Sequence, residues 1–196
     1  MPRAVRERLI LDVAGQVFAR SGYHATSMDD IAELADVSKP MLYAYFGSKE
    51  GLYLAYIDRN GRELLARLQG AATENDPPAA RLRARIAEFF GFVAEHSDGW
   101  RVLFGEMTSS RPVFEEVSTL RAQIAQTVRE MLEEQAPLRR PASDAVAHAI
   151  VGAGESLANW WLKHGDVPGE DVTDWYVDIV QAAVAAAMKR STAERI

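Results

Sequence analysis

The sequence contains no cysteine, which removes disulfides, thiolate metal sites and cysteine nucleophiles from consideration. It has no run of about 18 apolar residues, so no membrane-spanning helix is expected. The first residues, Met1-Pro2-Arg3-Ala4-Val5-Arg6-Glu7, pass directly into an amphipathic pattern. They lack an apolar targeting segment, so no signal peptide is expected, and with the missing cysteines this points to a cytoplasmic location. Sustained apolar–polar alternation between turn dipeptides is also absent, so no sheet is expected. Catalytic signatures are missing as well. There is no nucleophile elbow, no glycine-rich phosphate loop and no HExxH, nor a carboxylate pair placed for acid–base work. His148 and His164 do not stand at helical i,i+4 spacing, so no metal is expected. No enzyme activity and no cofactor are expected.

Positive charge is in short supply. Lysine and arginine number 22 against 28 acids, a net charge of −6. Residues 1–52 hold six bases (Arg3, Arg6, Arg8, Arg20, Lys39, Lys49) and seven acids (Glu7, Asp12, Asp29, Asp30, Glu33, Asp36, Glu50), a net of −1. A nucleic-acid binder usually carries a basic footprint. A DNA-binding segment here must therefore work with a few placed cations, hydroxyls and helix N-termini. The acidic remainder would suppress non-specific adhesion. Acidity equally suits a protein-interaction module with no DNA role, and a helical enzyme is a further alternative.

What the chain does have is helical periodicity. Its 196 residues, 48% of them hydrophobic, suffice for a small domain joined to a larger one. Val5, Leu9, Ile10, Val13, Val17 and Phe18 recur at spacings of three and four and make one apolar face, which Gly22 ends. Ser27 caps a second helix carrying Ile31, Leu34 and Ala35. After a break at Asp36-Val37, Ser38 caps a third, with Pro40 in its first turn and Leu42 and Phe46 as its apolar pair. Gly47 stops that helix and Ser48 opens a fourth, which runs to Leu68. Further helices are expected over about 79–97, 98–108, 113–135, 142–163 and 170–190, separated by turn and proline breakers.

Residues 27–46 thus have the form of a helix-turn-helix, whose second helix would present its N-terminal residues to base edges. Lys39, Pro40, Met41, Tyr43 and Tyr45 remain to face outward. Two tyrosines and a lysine suit a groove-reading surface, since hydroxyls and ammonium groups bond phosphates and base edges. Lys49, in the first turn of the next helix, is unfavourable with the helix dipole unless a phosphate binds that same N-terminus.

The stretch Gly22-Tyr23-His24-Ala25-Thr26-Ser27-Met28-Asp29-Asp30-Ile31-Ala32, followed by Val37-Ser38-Lys39-Pro40-Met41-Leu42-Tyr43-Ala44-Tyr45-Phe46-Gly47-Ser48-Lys49-Glu50-Gly51-Leu52, resembles the DNA-binding domain of the tetracycline-repressor (TetR) family. The resemblance implies an all-α protein. Its three-helix head (residues 3–65) is linked by the fourth helix to a larger ligand-binding and dimerisation body (66–196). It implies DNA contacts at Thr26, Ser27, Ser38, Lys39, Pro40, Met41, Tyr43, Tyr45 and Lys49; Ala44 departs from members with a bulky residue there. It also implies a homodimer through 142–163 and 170–190, and a repressor freed from a palindromic operator by a small molecule.

The body is less legible. Phe89, Phe90, Phe92, Trp100, Phe104, Phe114, Trp160 and Trp161 are the clustered aromatics, and such groups line apolar ligand pockets as readily as they fill cores. The candidate pocket residues are Phe90, Trp100, Phe104, Met107, Phe114, Glu155, Asn159 and Trp160, for a largely apolar effector. His148, Gly152, Glu155 and Asn159 share one helical face, opposite Val146, Ile150, Ala153, Leu157, Trp160 and Trp161. That polar stripe lines a pocket or dimer seam, or is solvated. The last helix is rich in alanine beside Ile179, Val180, Val184 and Met188, a composition that lets helices approach closely.

Overall fold

The structure, a computed structural model, describes residues 2–73, 75–104, 111–135 and 138–193; the side chains of residues 98, 102–104, 135, 192 and 193 are not described. Every regular element among the described residues is an α-helix. In chain order these are α1 (Arg3–Ala25), α2 (Met28–Leu34), α3 (Lys39–Phe46), α4 (Lys49–Gly70), α5 (Pro78–Glu95), α6 (Ser97–Phe104), α7 (Arg111–Gln135), α8 (Arg140–Trp161) and α9 (Gly169–Ala193). Two compact units emerge. One comprises Met1–Arg62 with His96–Ser118, the other Glu63–Glu95 with Thr119–Ile196. The division is interleaved in sequence because α6 packs on α1.

In the first unit, Ile10, Leu11, Ala14, Val17 and Phe18 form the buried face of α1. Tyr56 of α4 is fully enclosed, and two glycines make room for its ring. A Cβ on Gly15 would stand 2.7 Å from the Tyr56 Cζ, and one on Gly99 of α6 would collide with the Tyr56 hydroxyl. The turns follow local chemistry. Gly22 (φ 74°, ψ 163°) leaves the helical conformation before the end of α1, and the Thr26 amide and hydroxyl both donate to its carbonyl, at 3.2 and 2.7 Å. Asp36 (φ 51°) turns the chain between α2 and α3, and Gly47 (φ 74°) closes α3. Both adopt the left-handed region, which asparagine, aspartate and glycine tolerate best.

The core of the second unit is aromatic. The Phe90 ring meets Trp161 and Tyr176 edge-on, each with centroids 5.8 Å apart. The Tyr176 hydroxyl donates to the Ile150 carbonyl across Gly154, where a Cβ would lie 2.9 Å from that oxygen. The buried stripe of α8 is accordingly Ser143, Ala147, Gly154 and Ala158. Ala153 and Trp160 of the same helix are exposed. At Gly154 the Tyr176 and Phe89 rings already occupy the volume a side chain would need. Arg83 of α5 joins α9 through Asp174 at 2.8 Å and Glu170 at 3.5 Å.

Candidate nucleic-acid interface

The surface around α3 is built by two caps. Ser27 Oγ accepts the Asp29 amide at 3.0 Å and opens α2. Ser38 Oγ accepts the Met41 amide at 3.3 Å and opens α3. Each satisfies one of the amides a helix start leaves unpaired. Leu42 is completely buried and pins α3 to the unit's core. Ser38, Lys39, Pro40, Tyr43 and Ala44 are exposed, while Ser27, Met41 and Tyr45 are half-buried. The Arg3 guanidinium lies 5.1 Å above the Tyr45 ring, within cation–π range. This contact was not foreseen from sequence. The Tyr43 hydroxyl has no hydrogen-bond partner among the described residues and is free to meet a ligand.

Two of the residues expected at DNA are engaged within the protein. Thr26 is only 4% exposed and its hydroxyl is committed to Gly22, so its side chain serves the end of α1. Lys49 Nζ donates to the carbonyls of Tyr23 (2.8 Å), His24 (3.2 Å) and Thr26 (3.0 Å) and lies 4.6 Å from the Tyr23 ring centre. An ammonium has three N–H donors, and all three are engaged. The charge satisfies carbonyls around the end of α1, where the helix dipole favours it. Tyr23 itself is pushed up from the ordinary tyrosine pKa by burial and then by Glu50.

Lys39 is engaged differently. Its ammonium donates to Asp29 Oδ2 at 2.8 Å, with side-chain exposures of 46% and 66%. The hydrogen bond with Asp29 pushes the Lys39 pKa further up, so it is a cation throughout the physiological range. Asp29 was not among the expected contacts. Ten residues of sequence separate the pair, and only the crossing of α2 and α3 brings them together.

The expected effector residues divide between the two units. Trp100 (1% exposed) and Phe114 (54% exposed) belong to the first, whereas Phe90, Glu155, Asn159 and Trp160 belong to the second. Met107 and the Phe104 side chain lie outside the described residues. In the second unit Phe90 is core, and Glu155 accepts both of its hydrogen bonds, at 2.9 and 3.0 Å, from Arg121 Nε. Trp160 is 39% exposed and stacks on His164 at 4.4 Å. The polar stripe is divided too, with His148 and Gly152 exposed and Glu155 and Asn159 half-buried. A groove of about 590 Å³ runs between α8 and α9, floored by Ala142, Ala145, Val146, Ala183 and Ala186. None of the expected effector residues lines it. Among the described residues no cluster of three His, Asp or Glu could hold a metal, and no helix is long and apolar enough to cross a membrane.

Comparison with known proteins agrees with this arrangement. Residues 10–56 match the family model "Bacterial regulatory proteins, tetR family", and residues 78–183 match "Tetracyclin repressor-like, C-terminal domain". The HTH-type transcriptional activator FasR of Mycolicibacterium smegmatis is 32% identical over 165 residues, covering 84% of this chain and 75% of that protein. The HTH-type transcriptional regulator RutR of Escherichia coli is 33% identical over 110 residues, 56% of this chain and 51% of RutR. The crystal structure of a TetR-like transcriptional regulator from Rhodococcus sp. RHA1 superposes with a TM-score of 0.78 at 34% identity, covering 94% of this chain and 98% of that one.

Proposed function

The chain belongs to the TetR family of DNA-binding, non-enzymatic transcription regulators, and from that premise we propose that it is a cytoplasmic homodimeric repressor, released from a palindromic operator by a small, largely apolar effector. The observation that carries the reading is the presentation of α3. Its buried Leu42 fixes the helix while Lys39, Pro40 and Tyr43 stand exposed at its capped start, the end that enters the major groove in helix-turn-helix proteins. Ser27, Ser38, Met41 and Tyr45 border that surface and complete the proposed contacts.

Dimerisation is supported by apolar side chains that a lone chain leaves exposed on α8 and α9: Trp160, Trp175, Ile179 and Met188. A twofold axis through these helices makes the interface self-complementary and sets two recognition helices on two half-sites. Effector binding is supported by the aromatic core of the second unit. The Arg121–Glu155 pair beside it is a polar group able to orient a ligand. Effector and operator then favour different conformations of the dimer, and each lowers the other's affinity by the same factor. The activator reading is the alternative, favoured by the name of FasR.

Selection of binding sites from random duplex DNA tests the central reading. Enrichment of a palindrome establishes operator recognition by a dimer. A folded, effector-stripped dimer that enriches nothing overturns it. Transcription measured from the selected site then separates repression from activation.

A further inference from the structure

The helix-turn-helix segment itself carries one cation, Lys39, and it is paired. Between Arg20 and Lys49 the only lysine or arginine is Lys39, among the acids Asp29, Asp30, Glu33 and Asp36. Lys49 spends its donors on three carbonyls. Lys39 spends one on Asp29 and retains two. The Asp29 backbone is held by the Ser27 cap, and its carboxylate stands in the first turn of α2, where the helix dipole favours it. A carboxylate on one helix thus holds the ammonium at the start of the next.

Resting on the operator-binding reading above, we propose that Asp29 is a positioning residue for DNA recognition: it orients Lys39 toward a base edge and withholds the lysine's charge from phosphates. On random DNA the Asp29 carboxylate stays beside Lys39 and offsets its charge at a phosphate, so little is gained. At the correct base pair, two acceptors on one edge, such as guanine O6 and N7, can take the two remaining donors while Asp29 keeps the third. The pair turns a general attraction into a conditional one. This explains how a head with no basic excess discriminates among sequences, since its main cation is masked wherever a base does not engage it.

The test uses the full chain, measured against random-sequence duplex and against the selected operator over a range of salt. Asp29→Asn is expected to strengthen binding to random duplex by about threefold or more, the order of an exposed ion pair released. It is expected to steepen the salt dependence by about one counterion. It should also relax the operator at the same base pair that Lys39→Ala relaxes. In a Lys39→Ala background the gain from Asp29→Asn should fall below about half, since coupling exists only while both partners are present. Asp29→Glu, which keeps the charge, should retain the parent's salt slope. A gain of equal size in both backgrounds, or an unchanged slope, overturns the proposal and leaves Asp29 as a helix-start residue. A parent chain that binds no duplex overturns the operator-binding reading, and this inference with it. A parent that binds, with additive variants, overturns the inference alone.

Discussion

The Lys49 ammonium lies 2.8 Å from the carbonyl oxygen of Tyr23, so the first turn of α4 is tied to the last turn of α1. Two more carbonyls, of His24 and Thr26, share the same charge. Lys49→Met keeps the aliphatic stem and removes all three bonds. It should destabilise the chain by about 1–2 kcal/mol, the scale of charge-assisted bonds at a half-exposed position, read as a lower denaturation midpoint. The slope of operator affinity against salt should not change. A slope flatter by about one counterion would return Lys49 to a phosphate.

Tyr43 makes the opposite case. It is 43% exposed on α3. Tyr43→Phe removes one hydroxyl from the proposed phosphate-facing surface, so affinity for operator and random duplex should fall by a similar factor, about three- to tenfold for one hydrogen bond. The melting temperature should stay put. A drop for operator alone would make Tyr43 a base reader.

Gly15 is required by packing rather than by backbone conformation. An added Cβ would lie 2.7 Å from the Tyr56 Cζ and 2.8 Å from its hydroxyl oxygen, and the buried ring has no room to retreat. Gly15→Ala should cost about 1–3 kcal/mol despite the better helix propensity of alanine. Chemical denaturation measures it, and a neutral or stabilising result would mean that Tyr56 can repack.

Caps and stops were legible in the sequence because they are local. Ser27, Ser38 and Gly47 act on residues within four positions and stand where the pattern places them, while Gly22, expected to end α1, breaks it three residues before Ala25. Long-range partnerships were not. Lys49 reaches 23 to 26 residues back, and Asp29 meets Lys39 only after two helices cross. The placement of α6 with the first unit depends on two glycines, Gly15 and Gly99, that no periodicity links. On α8 bulk gave no guide to burial, because shape decides it and the small Ala147, Gly154 and Ala158 go inside.

Alkaline pH should weaken the head. Burial first, then Tyr56 and Tyr23, push Tyr53 up from 10.0 to about 12. The folded chain therefore holds this proton more tightly than the unfolded chain. The resulting stabilisation is complete below pH 10 and is lost as pH rises toward 12, amounting to about 2–3 kcal/mol. Denaturation at pH 9 and pH 11.5 should show a smaller alkaline loss for Tyr53→Phe than for the parent. Equal losses would place the sensitivity elsewhere, with Tyr176, whose burial also raises its pKa, the next residue to replace.

The proposed dimer face can be broken at one residue. Trp160 and Trp175 stand 6.4 Å apart, centroid to centroid, and Ile179 lies one turn beyond Trp175 on α9, 51% exposed in the single chain. Twofold symmetry would bury each of these side chains twice. Ile179→Glu loses two apolar contacts and sets two carboxylates in an apolar seam, at about 3–6 kcal/mol in all, a rise in dimer Kd of at least roughly 100-fold. Sedimentation should therefore show monomers at micromolar concentration. Because Ile179 is already solvated in the monomer, helix content should be retained, and operator affinity should fall because two tethered heads become two separate ones. A variant that stays dimeric and binds operator like the parent would move the interface off this face of α9, leaving the Trp160–Trp175 pair to be explained by some other partner.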